Sequence, residues 1–259
     1  MRTLVRNPQK ARQLVALGAT IVEGDLHTPQ ALQQLVANSD AVIHGAGAVR
    51  GNSQAAFDQV NVAGTAALIA AIESQSNPPR LLLLSSLAAS EPQLSWYAHS
   101  KREGESLVQA TELDWVIVRP PAVYGPGDKE MLPIFQCMGR GFAPVPGAAE
   151  ARTSLVHVSD LVAAIIACLL SPEARHQSLT LSDGRGNGYN WHEMAAIAGT
   201  VWNRRVRLWR VPAWLLNSAA RLNLWLAGYP VTMGARRRGS CQRQGKNTSP
   251  KRLSIPRPD

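Results

Sequence analysis

The chain has 259 residues, 45% of them hydrophobic and 17% charged, with 20 glycines and 17 prolines. That suffices for one large or two small cored domains, and it excludes collagen-like, wholly disordered and disulfide-stapled classes. The net charge is +9, but residues 234–259 hold eight Lys/Arg and one acid, so +7 belongs to that tail and only +2 to the rest. The tail has no periodicity, so it reads as a disordered basic appendage, and nucleic acid is not an expected partner.

Three cysteines, Cys137, Cys168 and Cys241, have no metal-ligand spacing. They suit a reducing, cytoplasmic setting, with no metal site expected. No apolar run reaches the roughly 18 residues of a membrane span, and the N-terminus does not read as a signal peptide.

In chain order, β-rich runs at 2–5, 20–23, 41–44, 81–85 and 115–118 alternate with amphipathic stretches at 8–17, 29–36, 60–72 and 97–110. Strand–helix alternation predicts βαβ units: an α/β fold with a doubly wound parallel sheet. The run LLLL at 81–84 is apolar on both faces, as a central parallel strand must be. From Gly125 the rhythm changes. Residues 125–133 and 139–151 read as loops, 155–170 and 191–201 as helices, 179–181 as a short strand, and 212–228 as an apolar core or interface helix.

Chemistry concentrates where strands end. Tyr97 and Lys101 in YAHSK are four residues apart, one turn along one helical face. An ammonium near a phenol favours the phenolate, which suits tyrosine to general acid/base work. Twelve residues earlier the strand LLLL runs into Ser85-Ser86, which places a hydroxyl at the carboxyl end of a central strand. Ligands bind there in open α/β sheets.

These segments stand in the order of a known family. GDL at 24–26, AVIHGAG at 41–47, NVAGT at 61–65, LLLLSS at 81–86, YAHSK at 97–101, RPPAVYGPGD at 119–128 and VHVSDL at 156–161 together resemble the extended short-chain dehydrogenase/reductases of the NAD-dependent epimerase/dehydratase type. The resemblance covers about residues 1–230. It implies Tyr97 as acid/base, Lys101 as the group that orients the nicotinamide ribose and tunes Tyr97, and Ser86 as the holder of the substrate oxygen, with Ser85 as fallback. It also implies that Asp25 and Leu26 face the adenine, that Gly45, Ala46 and Gly47 pass close to the cofactor, that Asn61 lies under the site, and that Pro121 and Val123 line the nicotinamide pocket. Arg6 follows the first visible strand, where an acid would bind ribose hydroxyls and an arginine a 2′-phosphate, so NADP is favoured over NAD.

Two departures stand beside these matches. The family opens with a strand and a GxxGxxG loop whose N–H groups hold the pyrophosphate. This sequence instead begins at what reads as the second strand, which predicts weak dinucleotide binding. GAGAVRG at 45–51 imitates such a loop but has no acid about 20 residues on. The other departure is the abrupt change after PVTMGA at 230–235, which fits a shifted reading frame or a real basic tail.

The expected organisation is a dinucleotide-binding domain over 1–125, a substrate-binding region over 126–233 that can return to the sheet, and the tail at 234–259. The expected function is NAD(P)-dependent oxidoreduction or epimerisation at a carbinol or ketone carbon of a small-molecule substrate, such as a sugar nucleotide or sterol. Trp96, Tyr124, His157 and Trp191 are candidate pocket walls, and the reading leaves room for a homodimer. The competing reading is a catalytically impaired Rossmann-like binding or scaffold protein.

Overall fold

The computed structural model describes residues 1–212 and 252–254. The apolar helix expected over 212–228 and nearly all of the basic tail therefore lie outside the described residues. The chain divides into two units, residues 1–120 with 161–181, and residues 121–160 with 182 onward.

The first unit begins with β1 (Arg2–Val5), a short helix α1 (Arg12–Ala16) and β2 (Thr20–Glu23). β1 and β2 pair in parallel, with Arg2 opposite Thr20 and Val5 opposite Glu23. After α2 (Pro29–Val36) comes β3 (Ala41–His44), then α3 (Gln54–Asp58), a π-helical turn at Gln59–Ala63 and α4 (Gly64–Glu73). β4 (Arg80–Leu84), α5 (Trp96–Gln109) and β5 (Trp115–Arg119) complete the alternation.

β3, β4 and β5 are neighbours in a parallel sheet that continues to β9 (Gln177–Ser182). Leu81, Leu82, Val116, Ile117 and Val118 are fully buried, as central parallel strands covered on both faces require. Leu32 and Val36 of α2, Leu68 and Ile72 of α4 and Val108 of α5 close one core on Leu81, Leu83 and Ile117. Each such side chain contributes about 1.5–3 kcal/mol on burial.

The unit holds two separate parallel sheets, β1–β2 and β3–β4–β5–β9. A slot of about 800 Å³ lies between β1 and β3, lined by residues 1–4 and 38–46. Among the described residues neither strand has a sheet partner on the side that faces the slot. Ile43 of β3 stays 50% exposed.

The second unit contains β6 (Ala122–Tyr124), α6 (Leu132–Gly139), β7 (Phe142–Pro146) and β8 (Leu155–His157). α7 (Val158–Leu170) leads from β8 back into the first unit. α8 (Trp191–Val201) and β10 (Arg207–Val211) follow in the second unit. β6 pairs with β8 and β7 with β10, both in parallel. Met138, Ala143, Leu155, Met194 and Ala198 form its core.

Several expectations are corrected. The helix expected from 155 starts at Val158, because Leu155, Val156 and His157 pair with β6. The stretch 139–151, read as a loop for its prolines and glycines, contains β7. In β7, Ala143 and Val145 are buried, and Pro144 and Pro146 are tolerated because, among the described residues, the strand has a partner on only one side. The 125–133 loop ends earlier than read, since α6 begins at Leu132.

The helix expected from Val60 starts at Gln54, where the Ser53 hydroxyl accepts from Ala56 N and caps it. Gln54–Glu73 has the length and mean hydropathy, 1.4, to cross a membrane, although Gln54, Asp58, Gln59 and Asn61 interrupt its apolar runs. Its Leu68, Ile69 and Ile72 are buried against the sheet, as those of a core helix are.

Candidate functional site

Ser95 caps α5 by accepting from Ala98 N at 3.1 Å, so the helix opens at Trp96 and Tyr97 stands in its first turn. Tyr97 is half-buried, and its ring meets the Phe57 ring edge-on with centroids 6.2 Å apart. One turn on, Lys101 is buried, and its Nζ donates to Leu84 O at 2.9 Å, at the end of β4. Burial pulls the Lys101 ammonium down to about 8, partly offset by the Glu105 carboxylate.

The loop after β3 passes over this lysine. A Cβ on Gly47 would stand 3.1 Å from Asn61 Oδ1 and 3.7 Å from Lys101 Nζ. The buried Asn61 sits in the π turn, a feature frequent at functional sites. It accepts from Ala48 N at 2.7 Å and donates to Ala48 O at 3.0 Å and to Ser100 Oγ at 2.9 Å. The amide thus fastens the Gly45–Gly47 loop to α5 in the way a strand partner would.

Ser85 and Ser86, equivalent by sequence, differ in structure. The Ser85 hydroxyl is buried and donates to Glu105, which also takes Arg119 Nε at 2.8 Å and a second bond from the same guanidinium. Ser85 therefore anchors α5 to the sheet. Ser86 Oγ accepts from Ala88 N at 3.2 Å and caps a short 3-10 turn, a bond that leaves its own proton uncommitted.

Sequence reasoning missed Glu105 and Arg119. Glu105 is four residues after Lys101 on the same helix face, which was the available signal. It also missed His44, buried at the end of β3, whose Nε2 lies 2.9 Å from Thr65 Oγ1. Thr65 spends its own proton on Asn61 O, so His44 is the donor in that pair. Burial, with the Lys101 charge second, lowers the His44 imidazole to about 4.

A cavity of about 570 Å³ in the first unit is lined by Arg6, Asp25, Leu26, Gly45, Ala46 and Gly47. All six expected cofactor contacts from this unit's first strands thus share one space. No protein atom comes within 3.9 Å of a Cβ added at Gly45, so packing within the protein does not require a glycine there. Asp25 Oδ1 is committed locally, accepting from His27 N at 2.8 Å and Thr28 Oγ1 at 3.0 Å. These bonds, that from the His27 backbone first, hold its carboxyl below the usual range. Arg6 is exposed at the rim. Pro121 and Val123 belong to the second unit, before and within β6.

Parallel βαβ units, a glycine loop at a strand end and this cavity suit a dinucleotide. Among the described residues no glycine-rich turn follows β1. Residues 1–168 match a protein family described as NAD(P)H-binding. The chain belongs to that family.

Within and beyond this NAD(P)H-binding family, the chain is 39% identical over 221 residues to a ceramide reductase of Caulobacter vibrioides, covering 84% of this chain and 68% of the relative. It is 26% identical over 204 residues to a 2-alkyl-3-oxoalkanoate reductase of Shewanella oneidensis, covering 66% of this chain and 52% of the relative. The fold is that of the RMD protein of Pseudomonas aeruginosa, solved with NADPH, at a TM-score of 0.62 and 20% identity over 82% of this chain and 84% of that one. The Rossmann-like parallel α/β architecture and membership of an NAD(P)H-binding family are thereby established.

Proposed function

We propose that the chain carries the nucleotide-binding and catalytic residues of an NADP(H)-dependent reductase, an extended short-chain dehydrogenase/reductase acting on a ketone in a molecule with an alkyl chain. The observation that carries this reading is Lys101: a buried ammonium tied to the end of β4, beside the Gly45–Gly47 loop and one turn from Tyr97. Both curated relatives are named as reductases, one of ceramide and one of a 2-alkyl-3-oxo acid.

A bound nicotinamide dinucleotide supplies the hydride. Tyr97 Oη gives its proton to the carbonyl oxygen as that oxygen becomes an alkoxide. Ser86 Oγ donates a hydrogen bond to the same oxygen and stabilises the developing charge. Lys101, charged below pH 8, would donate to ribose hydroxyls of that dinucleotide. Arg6 would pair with a 2′-phosphate.

The slot between β1 and β3 belongs to this reading. Among the described residues, two parallel strands with unpaired edges face one space, and a further strand there would pair with the main-chain groups of both. We infer that a strand seated there would bring a pyrophosphate-binding turn to the site. The slot also favours a second reading, a binding protein without turnover, for as long as no strand fills it.

The test is NADPH titration by fluorescence on the 259-residue chain and on a form extended before Met1 by a β-run with GxxGxxG. A higher melting temperature and at least tenfold tighter NADPH binding in the extended form support the account. Micromolar binding by the short form, with no gain on extension, contradicts it.

A further inference from the structure

The second unit contains a cavity of about 340 Å³ that the nucleotide reading does not use. That volume is near the lower end for small-ligand pockets. Its walls are Phe135 and Met138 of α6, Leu155 of β8, and Met194 and Ala198 of α8. Met194, Ala198 and Trp202 are spaced by four residues, so they share one face. At the mouth, Ile197, Val201 and Trp202 remain 48%, 69% and 43% exposed.

Water gains little here, because a buried water needs two to four polar partners and an apolar cavity stays dry and takes up hydrophobic molecules. Two methionines give the walls the adaptability that suits a flexible chain.

Polar groups interrupt the lining: the Tyr124 and Tyr189 side chains and the Asp183 carboxylate. Asp183 accepts from the Tyr189 hydroxyl through Oδ2 and from Arg185 N at 3.0 Å through Oδ1. The Arg185 guanidinium lies 4.7 Å from the Tyr189 ring centroid and pairs with Glu193 at 3.0 Å. A carboxylate offers about four acceptor positions, and these contacts use two. Asp183 thus keeps acceptor capacity beside an apolar space.

We propose that this cavity binds a linear alkyl chain whose head carries an N–H or O–H donor for Asp183. The inference deepens the reductase reading, and rests on it only for the statement that the chain belongs to the substrate.

The experiment is calorimetric titration of the full chain, without nucleotide, with N-acylethanolamines of six to twelve carbons kept below micelle-forming concentrations. Affinity rises about fourfold per methylene until the cavity is filled. Ala198→Phe, which fills the space, weakens binding at least tenfold, and Met194→Ala, which enlarges it, moves the preferred chain to a greater length. A methyl ester of the same acyl length, lacking the donor, binds at least tenfold more weakly.

A flat series, or binding that neither variant changes, overturns the proposal. Chain-length dependence without any ketone reduction leaves the alkyl site standing and counts against the reductase reading. Reduction of short ketones with a flat binding series does the opposite.

Discussion

Lys101 donates its ammonium to the main-chain oxygen of Leu84, 2.9 Å away, and so fastens the second turn of α5 to the strand that delivers Ser85 and Ser86. The bond fixes the distance between the helix that carries Tyr97 and the strand end that carries the hydroxyls. It also keeps the ammonium in a buried position where its charge is costly.

The first expectation follows from that cost. Burial lowers the Lys101 pKa to about 8, and the proposed mechanism needs its charged form. Turnover is therefore retained below pH 8 and falls as pH rises through that value. Stability moves the other way: the unfolded lysine stays charged to about pH 10.4, so the cost of burying the charge fades between pH 8 and that limit. A pH–rate profile flat to pH 10 contradicts the assignment.

Glu105 and Arg119 are both buried and joined by two hydrogen bonds. Removing one partner leaves an uncompensated charge, and Glu105→Ala is expected to cost about 3–5 kcal/mol. The double replacement Glu105→Leu with Arg119→Met is expected to be much less destabilising than the sum of the single changes. Urea denaturation of the four proteins measures the coupling, and additive losses contradict it.

His44 titrates in acid. Its folded pKa of about 4 lies below the ordinary 6.5, so at falling pH the unfolded chain takes up the proton first. Stability is full above pH 6.5 and declines by up to roughly 3 kcal/mol by pH 4. His44→Asn is expected to flatten melting temperature across that window. An unchanged slope in the variant shows that other groups govern acid stability.

Arg6 decides cofactor choice in the proposed site. Arg6→Ala is expected to weaken NADPH by about 1–3 kcal/mol and NADH by less. Equal losses in parallel titrations contradict the NADP preference.

The sequence made the first unit legible because its signals are local. β1, β2, β3 and α2 fall on the expected residues, since each short apolar run is bounded by its own turn residues and α2 opens on Pro29. α8 also falls on the expected 191–201, and Asn190 and Glu193 form a capping box at its start. β8 was lost because LVH runs straight into the apolar helix behind it, and length alone does not separate the two. Arg6, Asp25, Leu26 and Gly45–Gly47 line one cavity. The partnership of Ser85, Glu105 and Arg119 was not legible, because it depends on how α5 lies across β4 and β5. That packing also separates Ser85 from Ser86, two neighbours that composition cannot rank.

The most direct measurement follows deuterium from NADPH labelled at the nicotinamide C4. The strand-extended protein is incubated with a long-chain 3-oxo compound, and the product is read by mass spectrometry. The expected result is one deuterium on the new carbinol carbon, with product formation abolished in Tyr97→Phe while NADPH affinity changes little. Unlabelled product, no product, or a Tyr97→Phe rate above a tenth of the parent contradicts the assignment of Tyr97 and the reductase with it.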